Sequence, residues 1–361
     1  MYHFFRSLLF RLEPETAHQL TLQAIRLAGN VPLSRWLLTQ LYKAPEKPVH
    51  AFGLTFKNPV GLAAGYDKDA LAIRGLATLG FGHLEVGTVT PRPQPGNPPP
   101  RVFRLIADEA VINRMGFPSL GLEFVQRQLN PSLRADTSVK LSRSSIFSRK
   151  KAATTLDKGD VILGINLGKN KDTPNGEAVL DYLELLQCLA PYGDYLAINI
   201  SSPNTVGLRQ LQGRAALEGL LTQLDAQRRM EEKKLEKRLP LLVKLAPDLS
   251  EQELDEAVDV ILATHMDGII VTNTTLGREG LRSDFRGETG GLSGSTLRLR
   301  SEAVLCQVVK RVDGKIPIVS VGGIMNPADA QRRLELGATL IQLYSGLIYQ
   351  GPGLVKNILE R

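Results

Sequence analysis

The chain has 361 residues, 43% apolar and 22% charged, which supplies ample core for a large globular domain and excludes the disordered and fibrous classes. A net charge of +7 permits an anionic partner and says nothing about fold. Cys188 and Cys306 lie far apart and the five histidines show no HxH or HExxH spacing, which excludes a disulfide scaffold and argues against a metal site; both cysteines read as buried small side chains.

Residues 1–45 read as amphipathic helices. Phe4, Phe5, Leu8, Leu9 and Leu12 recur at helical spacing, and Glu13-Pro14-Glu15-Thr16 breaks and restarts the helix. The pattern continues from His18 to Ala28 and stops at Gly29-Asn30-Val31-Pro32. A third short helix spans Leu33–Tyr42 and carries the only tryptophan, Trp36, before a linker at Ala44–Pro48. Arg6, Arg11 and Glu13 interrupt the apolar runs, which fall far short of the roughly 20 residues a membrane span needs. A charge-free stretch with a small-residue cleavage site, as in a signal peptide, is missing. Such helices suit either an interfacial membrane segment or a cap packed on the main domain.

From residue 52 onward, short apolar runs alternate with helical patterns. The runs are Val60–Ala64, His83–Val89, Val161–Leu167, Tyr195–Ile200, Leu241–Leu245, Gly268–Thr272, Ile316–Val321 and Thr339–Tyr344. They are near-continuously apolar, as strands buried on both faces are. Helical stretches such as Asp69–Leu79, Asp181–Cys188, Glu251–Ala263 and Pro327–Leu336 stand between them. Eight strand–helix repeats predict a closed parallel α/β barrel, a (β/α)8 TIM barrel with an N-terminal helical extension. Residues 46–361 would form this barrel. An extra hairpin is expected near the first strands, because Phe52–Lys57 and Arg101–Ile112 also look extended. Residues 133–160, rich in Ser, Thr, Lys and Arg, read as a surface insertion at the helix-to-strand end, away from chemistry.

Chemistry in such barrels sits at the carboxyl ends of the strands. In order, those ends carry Gly65-Tyr66-Asp67-Lys68, Thr88, Asn166, Asn199 through Asn204, Lys244, Thr272-Asn273-Thr274, Gly322-Gly323 and Tyr344-Ser345-Gly346. Each alone is ordinary turn chemistry. Together, asparagines and two lysines converging on one rim suit a ligand with imide or urea edges, because an amide donates and accepts on one plane. Of Lys68 and Lys244, one can hold a carboxylate; the other, beside a flavin's N1–C2 edge, would favour the reduced ring. Gly322-Gly323 and the Gly346 turn match the phosphate site between strands seven and eight. The residues alone therefore suggest flavin mononucleotide (FMN) on the barrel mouth with a small planar acid above it.

At this point the chain resembles the class 2, membrane-associated dihydroorotate dehydrogenases, along nearly its whole length except the 133–160 insertion. The stretches that carry the resemblance are Asn58–Gly65 with Asp67-Lys68-Asp69, Glu85–Pro91, Ile112–Phe117, Asn199–Thr205, Thr272–Thr275 and Thr289–Gly294. The family oxidises dihydroorotate to orotate in pyrimidine biosynthesis, using FMN and then a quinone. The resemblance implies that Ala64, Gly65, Tyr66, Asp67, Lys68, Thr88, Asn166, Asn199, Lys244, Thr272, Gly294, Gly323, Tyr344 and Ser345 hold FMN. It implies that Lys68, Asn113, Arg114, Met115, Gly116, Phe117, Asn199, Asn204, Asn273 and Thr274 hold the substrate, and that Ser202 is the catalytic base. Class 1 members carry Cys at the base position and lack the N-terminal helices; Ser202 and residues 1–45 both match class 2. Ser202 has no histidine or carboxylate beside it in sequence, so a relay through Thr205 and a water is expected. His18, Arg104 and Tyr344 would meet quinone carbonyls at the inner end of a tunnel through residues 1–45. Arg104 follows the six-proline loop Pro91–Pro100. The expected location is peripheral, on the cytoplasmic side of the inner membrane, with the helices on an anionic lipid surface. No nucleic acid and no obligate protein partner are implied. The competing readings are a soluble class 1-like dihydroorotate dehydrogenase and a flavin-free phosphate-binding barrel enzyme.

Overall fold

The computed structural model describes residues 2–134 and 156–361, so all but the ends of the expected 133–160 insertion lies outside the described residues. The chain opens with three helices, α1 (Tyr2–Leu9), α2 (Pro14–Asn30) and α3 (Pro32–Leu41). The Glu13 carboxylate accepts the Thr16 N–H at 2.8 Å and Pro14 takes the first helical position, so α2 starts where the sequence breaks. Val31, held extended (φ −93°, ψ 120°) ahead of Pro32, ends α2 and starts α3.

Next come β1 (Val49–Ala51), β2 (Leu54–Phe56) and β3 (Val60–Leu62), then α4 (Ile73–Leu76), β4 (His83–Val89), β5 (Val102–Leu105), β6 (Ala110–Asn113) and α5 (Leu122–Leu129). The chain goes on through β7 (Ile162–Leu167), α6 (Ala178–Leu189), β8 (Tyr195–Asn199), α7 (Arg214–Leu235), β9 (Leu241–Leu245), α8 (Glu251–Ala263) and β10 (Gly268–Val271). It finishes with β11 (Gly291–Gly294), α9 (Arg298–Val312), β12 (Ile318–Val321), α10 (Pro327–Glu335), β13 (Leu340–Leu343), α11 (Ser345–Gln350) and α12 (Leu354–Leu359).

Strands β3, β4, β7, β8, β9, β10, β12 and β13 form one closed parallel barrel, shut by β13 against β3 with Ile341 opposite Val60. These are the eight apolar runs of the sequence, trimmed by a residue or two at their ends. Leu62, Leu84, Ile165, Leu196 and Val243 are buried, and the strands are covered by α6, α7, α8 and α9.

Three sequence expectations change. The two extended stretches make two separate sheets, because each pairs locally. β1 and β2 form a hairpin that seats Phe52 and Phe56 against the rings of Tyr195 and His83, at the amino ends of the strands. β5 and β6 join β11 in a three-stranded antiparallel sheet. Asp69–Leu79 contains only one α-helical turn followed by a 3-10 turn. Its beginning is instead a loop tied by the buried Asp67 carboxylate to the N–H groups of Leu71 and Ala72. Cys188 is half-buried and Cys306 is exposed on α9, so neither is the core residue expected.

The cap helices dock at defined points. Tyr2 donates to the Ile348 carbonyl at 2.6 Å and Arg6 to Tyr349 O at 2.9 Å. α2 lies on α4 along a glycine seam: a Cβ on Gly75 would meet Ile25 O at 2.1 Å, and one on Gly29 would meet Gly75 N at 2.3 Å. Elsewhere the cap leaves large apolar side chains in solvent, among them Phe4, Leu27, Leu33, Trp36, Leu37 and Leu41.

Candidate active site

One cavity of about 470 Å³ runs from the cap helices into the barrel mouth. Its outer end is apolar, lined by Phe5 and Leu9 of α1, the following Phe10, and Ala17, Ala24 and Ile25 of α2, with Leu347 of α11 and Pro352 just after it. Its inner end is polar and is built from the strand ends, including Lys68, Thr88, Asn199, Ser202, Lys244 and Thr272.

The floor is a hydrogen-bonded amide cluster. Asn199 Nδ2 donates to Thr88 Oγ1 at 3.1 Å and to Asn166 Oδ1 at 3.0 Å, and Thr88 donates to the same Asn166 oxygen at 2.6 Å. Asn166 donates to Glu85 at 2.8 Å. That carboxyl, in the middle of β4, also accepts from Tyr195 at 3.1 Å and Gln342 at 2.8 Å. Each side chain is thereby locked before any ligand arrives, the preorganisation that a binding site needs. Glu85 also faces Lys244. Burial lowers the Lys244 ammonium from its ordinary range and the Glu85 charge opposes that shift.

Two buried acceptors or donors at this floor, Thr272 Oγ1 and Gln342 Oε1, have no protein partner among the described residues. A buried polar atom without a partner costs on the order of 1–3 kcal/mol, so these atoms point to a polar, planar ligand beside Lys244. At the neighbouring rim, Gly323 (φ 74°) brings bare backbone to the wall; a Cβ there would meet the Arg298 backbone at 2.5 Å. Ser345 and Ser293 share a hydrogen bond at 3.0 Å beside it.

Above the floor, Asn273 donates to Ser201 Oγ at 3.0 Å and to Asn199 Oδ1 at 3.3 Å, and Asn204 donates to Asn113 at 3.2 Å. Ser202 is buried, and its Oγ accepts the Asn204 N–H at 3.2 Å. Thr205 Oγ1 is buried without a protein partner among the described residues. Lys68 donates to Gly65 O at 2.6 Å. Burial brings Lys68 down to about 8, against the pull of Asp69 and Glu15. Arg101 ties the cap to this end, donating to both Glu15 oxygens and to the carbonyls of Pro95 and Asn97 in the proline loop.

Between the two ends sit His18, Tyr66 and Tyr344, with ring centroids 5.0 Å and 6.3 Å apart along that series. Burial and then the Lys68 charge hold His18 down at about 3, so its imidazole is neutral at physiological pH. Tyr66 reaches Thr21 on α2 at 3.4 Å, and burial raises the Tyr344 phenol. Arg104 stacks on Phe10 and caps α1 through the carbonyls of Leu9 and Leu12.

The cavity wall contains Ala64, Gly65, Tyr66, Lys68, Thr88, Asn113, Met115, Gly116, Phe117, Asn199, Ser202, Asn204, Lys244, Thr272, Asn273, Thr274, Gly294, Gly323, Tyr344 and Ser345, with His18 and Arg104 at the cap end. Three expected residues are not part of that wall. Asp67 caps its own loop, Arg114 turns away to Glu288 at 2.5 Å and onto the Phe103 ring, and Asn166 lies behind Thr88 and Asn199. Sequence reasoning missed Glu85, Gln342 and Glu15. The signal for the first two was a charged and an amide residue inside otherwise apolar strands.

The family model of dihydroorotate dehydrogenase matches residues 48–361. Dihydroorotate dehydrogenase (quinone) of Idiomarina loihiensis is 45% identical over 360 residues, covering 100% of this chain and 99% of that protein. The enzyme of the same name from Acidithiobacillus ferrooxidans is 47% identical over 364 residues, 99% of this chain and 93% of its own. A crystal structure of dihydroorotate dehydrogenase from Eimeria tenella, in complex with ferulenol, superposes with a TM-score of 0.79 at 39% identity, covering 96% of this chain and 90% of that one. With its barrel, its amide-lined mouth and these relatives, the chain belongs to the dihydroorotate dehydrogenase family.

Proposed function

We propose that this chain oxidises (S)-dihydroorotate to orotate in pyrimidine biosynthesis and delivers the electrons, through FMN, to a quinone drawn from a membrane. The observation that carries this reading is the single cavity that joins an apolar groove between α1 and α2 to a polar mouth holding Ser202. Dihydroorotate dehydrogenases are flavin-dependent enzymes, and the residues of the floor fit FMN. Thr88, Asn199, Lys244, Thr272 and Gln342 would meet its ring edges, and Gly294, Gly323 and Ser345 its phosphate. When bound, FMN supplies the hydride acceptor and then the electron donor for the quinone.

The protein's own residues do the rest. Asn113, Asn204, Asn273 and Thr274 hold the ring amides of dihydroorotate, while Lys68 holds a negative charge. Ser202 Oγ accepts the C5 proton as its own hydroxyl proton passes through one water to Thr205, which hands its own hydroxyl proton on, so that both side chains end as neutral hydroxyls. Burial of both hydroxyls keeps bulk solvent from competing. At the far end, neutral His18, Arg104 and Tyr344 offer polar contacts to quinone carbonyls. The exposed apolar side chains of α1–α3 rest on an anionic lipid surface, on the cytoplasmic side of the inner membrane. Among the described residues no helix is long and apolar enough to cross a membrane, which agrees with peripheral attachment.

An anaerobic titration tests the whole reading. Purified protein should be yellow, lose its flavin absorbance with one equivalent of dihydroorotate, and regain it on addition of a quinone. A colourless protein, or a flavin that dihydroorotate leaves oxidised, would refute the proposal.

A further inference from the structure

Arg333 on α10 is the largest fully buried side chain among the described residues, with no exposure at all. Its close partners are neutral. Nη2 donates to Gly322 O at 2.7 Å, to Ser301 Oγ at 2.7 Å and to Arg298 O at 3.0 Å, and Nη1 donates to Ser320 Oγ at 3.2 Å. The nearest carboxylate, on Glu302, stands 3.6 Å from Nε; Asp329 is taken by Arg298 at 3.0 Å. Burial lowers Arg333 to about 10, so it stays cationic at neutral pH. A buried cation with so little close compensation is costly and calls for an anion nearby.

The Gly322 carbonyl shows where. Arg333 and Ser301 both donate to it, the latter at 2.8 Å. In a trans peptide the C=O and the following N–H point in opposite directions. The N–H paired with this carbonyl belongs to Gly323, which lines the cavity and donates to no protein acceptor among the described residues. Hydrogen bonds on the carbonyl side polarise the peptide and strengthen its N–H as a donor.

Resting on the FMN reading above, we infer that Arg333 is the positioning residue of the phosphate subsite: it aims and polarises the 322–323 peptide toward a phosphate monoester and supplies the buried positive charge behind it. Arg333 does not line the cavity and acts only through that peptide.

The test compares FMN with riboflavin, which lacks the phosphate, by fluorescence titration of the flavin-free full-length chain. Arg333→Met should weaken FMN about 10- to 100-fold and riboflavin hardly at all. Arg333→Lys should recover part of the preference. Glu302→Gln removes the nearest compensating carboxylate and should raise the preference for FMN about threefold. If Arg333→Met does not fold, the lysine variant and the opposite shift in Glu302→Gln decide. Equal weakening of both flavins, or an FMN preference unmoved in all variants, overturns the inference alone. A wild-type chain that takes neither flavin overturns the FMN reading and this inference with it.

Discussion

Ser202 sits where a motif and a geometry agree: inside the run Asn199–Thr205, buried, and open to the cavity. Replacing it with alanine should leave bound flavin in place and slow flavin reduction by dihydroorotate by about 10²- to 10⁴-fold. Stopped-flow absorbance measures this directly, and wild-type reduction rates in the variant would remove Ser202 from the role. The site residues were legible because they follow the strand ends, and the barrel fixes where strand ends meet. Side-chain direction was not legible. Asn113 and Met115 reach the cavity while Arg114 between them turns outward, as alternation along an extended chain requires. Tyr66 and Lys68 reach the cavity from a turn whose central Asp67 carboxylate is spent on its own loop. Glu85 and Gln342 escaped notice because a barrel interior can hold a polar pair that the surrounding apolar run conceals.

At the scale of elements, all eight barrel strands could be read, since strands covered on both faces leave continuous apolar runs. β11 could not. Its residues, Gly291–Gly294, look like a loop, and only the partner strand β6 makes them a strand. The α1–α2 pair invites a direct trial. Ala24 lines the apolar end of the cavity from α2 and is solvent-exposed, so a tryptophan there adds bulk without disturbing the core. Ala24→Trp should cut quinone-dependent turnover about tenfold or more while dihydroorotate still bleaches the flavin at the parental rate. Deleting residues 1–45 is a blunter instrument, because it also strips buried Leu22 and the Gly29–Gly75 seam from the barrel. Unaltered quinone kinetics in Ala24→Trp would disconnect this groove from the acceptor.

Among the described residues, two imidazoles, the fully buried His83 and the half-buried His18, resist protonation in the folded state. Burial depresses His83 to about 3, and neither of its ring nitrogens has a protein partner among the described residues; His18 is depressed to about 3 as well. In the unfolded chain a histidine titrates near 6.5. Below that pH the unfolded state binds protons that the native state refuses. Stability should therefore be complete above about pH 6.5 and fall as pH drops toward 3, by up to about 1.4 kcal/mol per pH unit for each histidine. Urea melts across that range measure the slope; the buried Asp67 carboxyl, raised to about 6, offsets part of it between about pH 6 and 4, so His83→Leu should flatten it by more than half there. A slope untouched by the replacement would assign the acid sensitivity to other groups.

The barrel's closing pair also sets an order of events during synthesis. Strand β13 zips onto β3 only after nearly the entire polypeptide has emerged, whereas α1–α3 are finished within the first 41 residues. While α2 finds its seam on α4 early, α1 has no wall to lean on until Ile348 and Tyr349, which anchor it from far along the chain, have been made. Docking of α1 and closure of the barrel therefore fall at the same late stage.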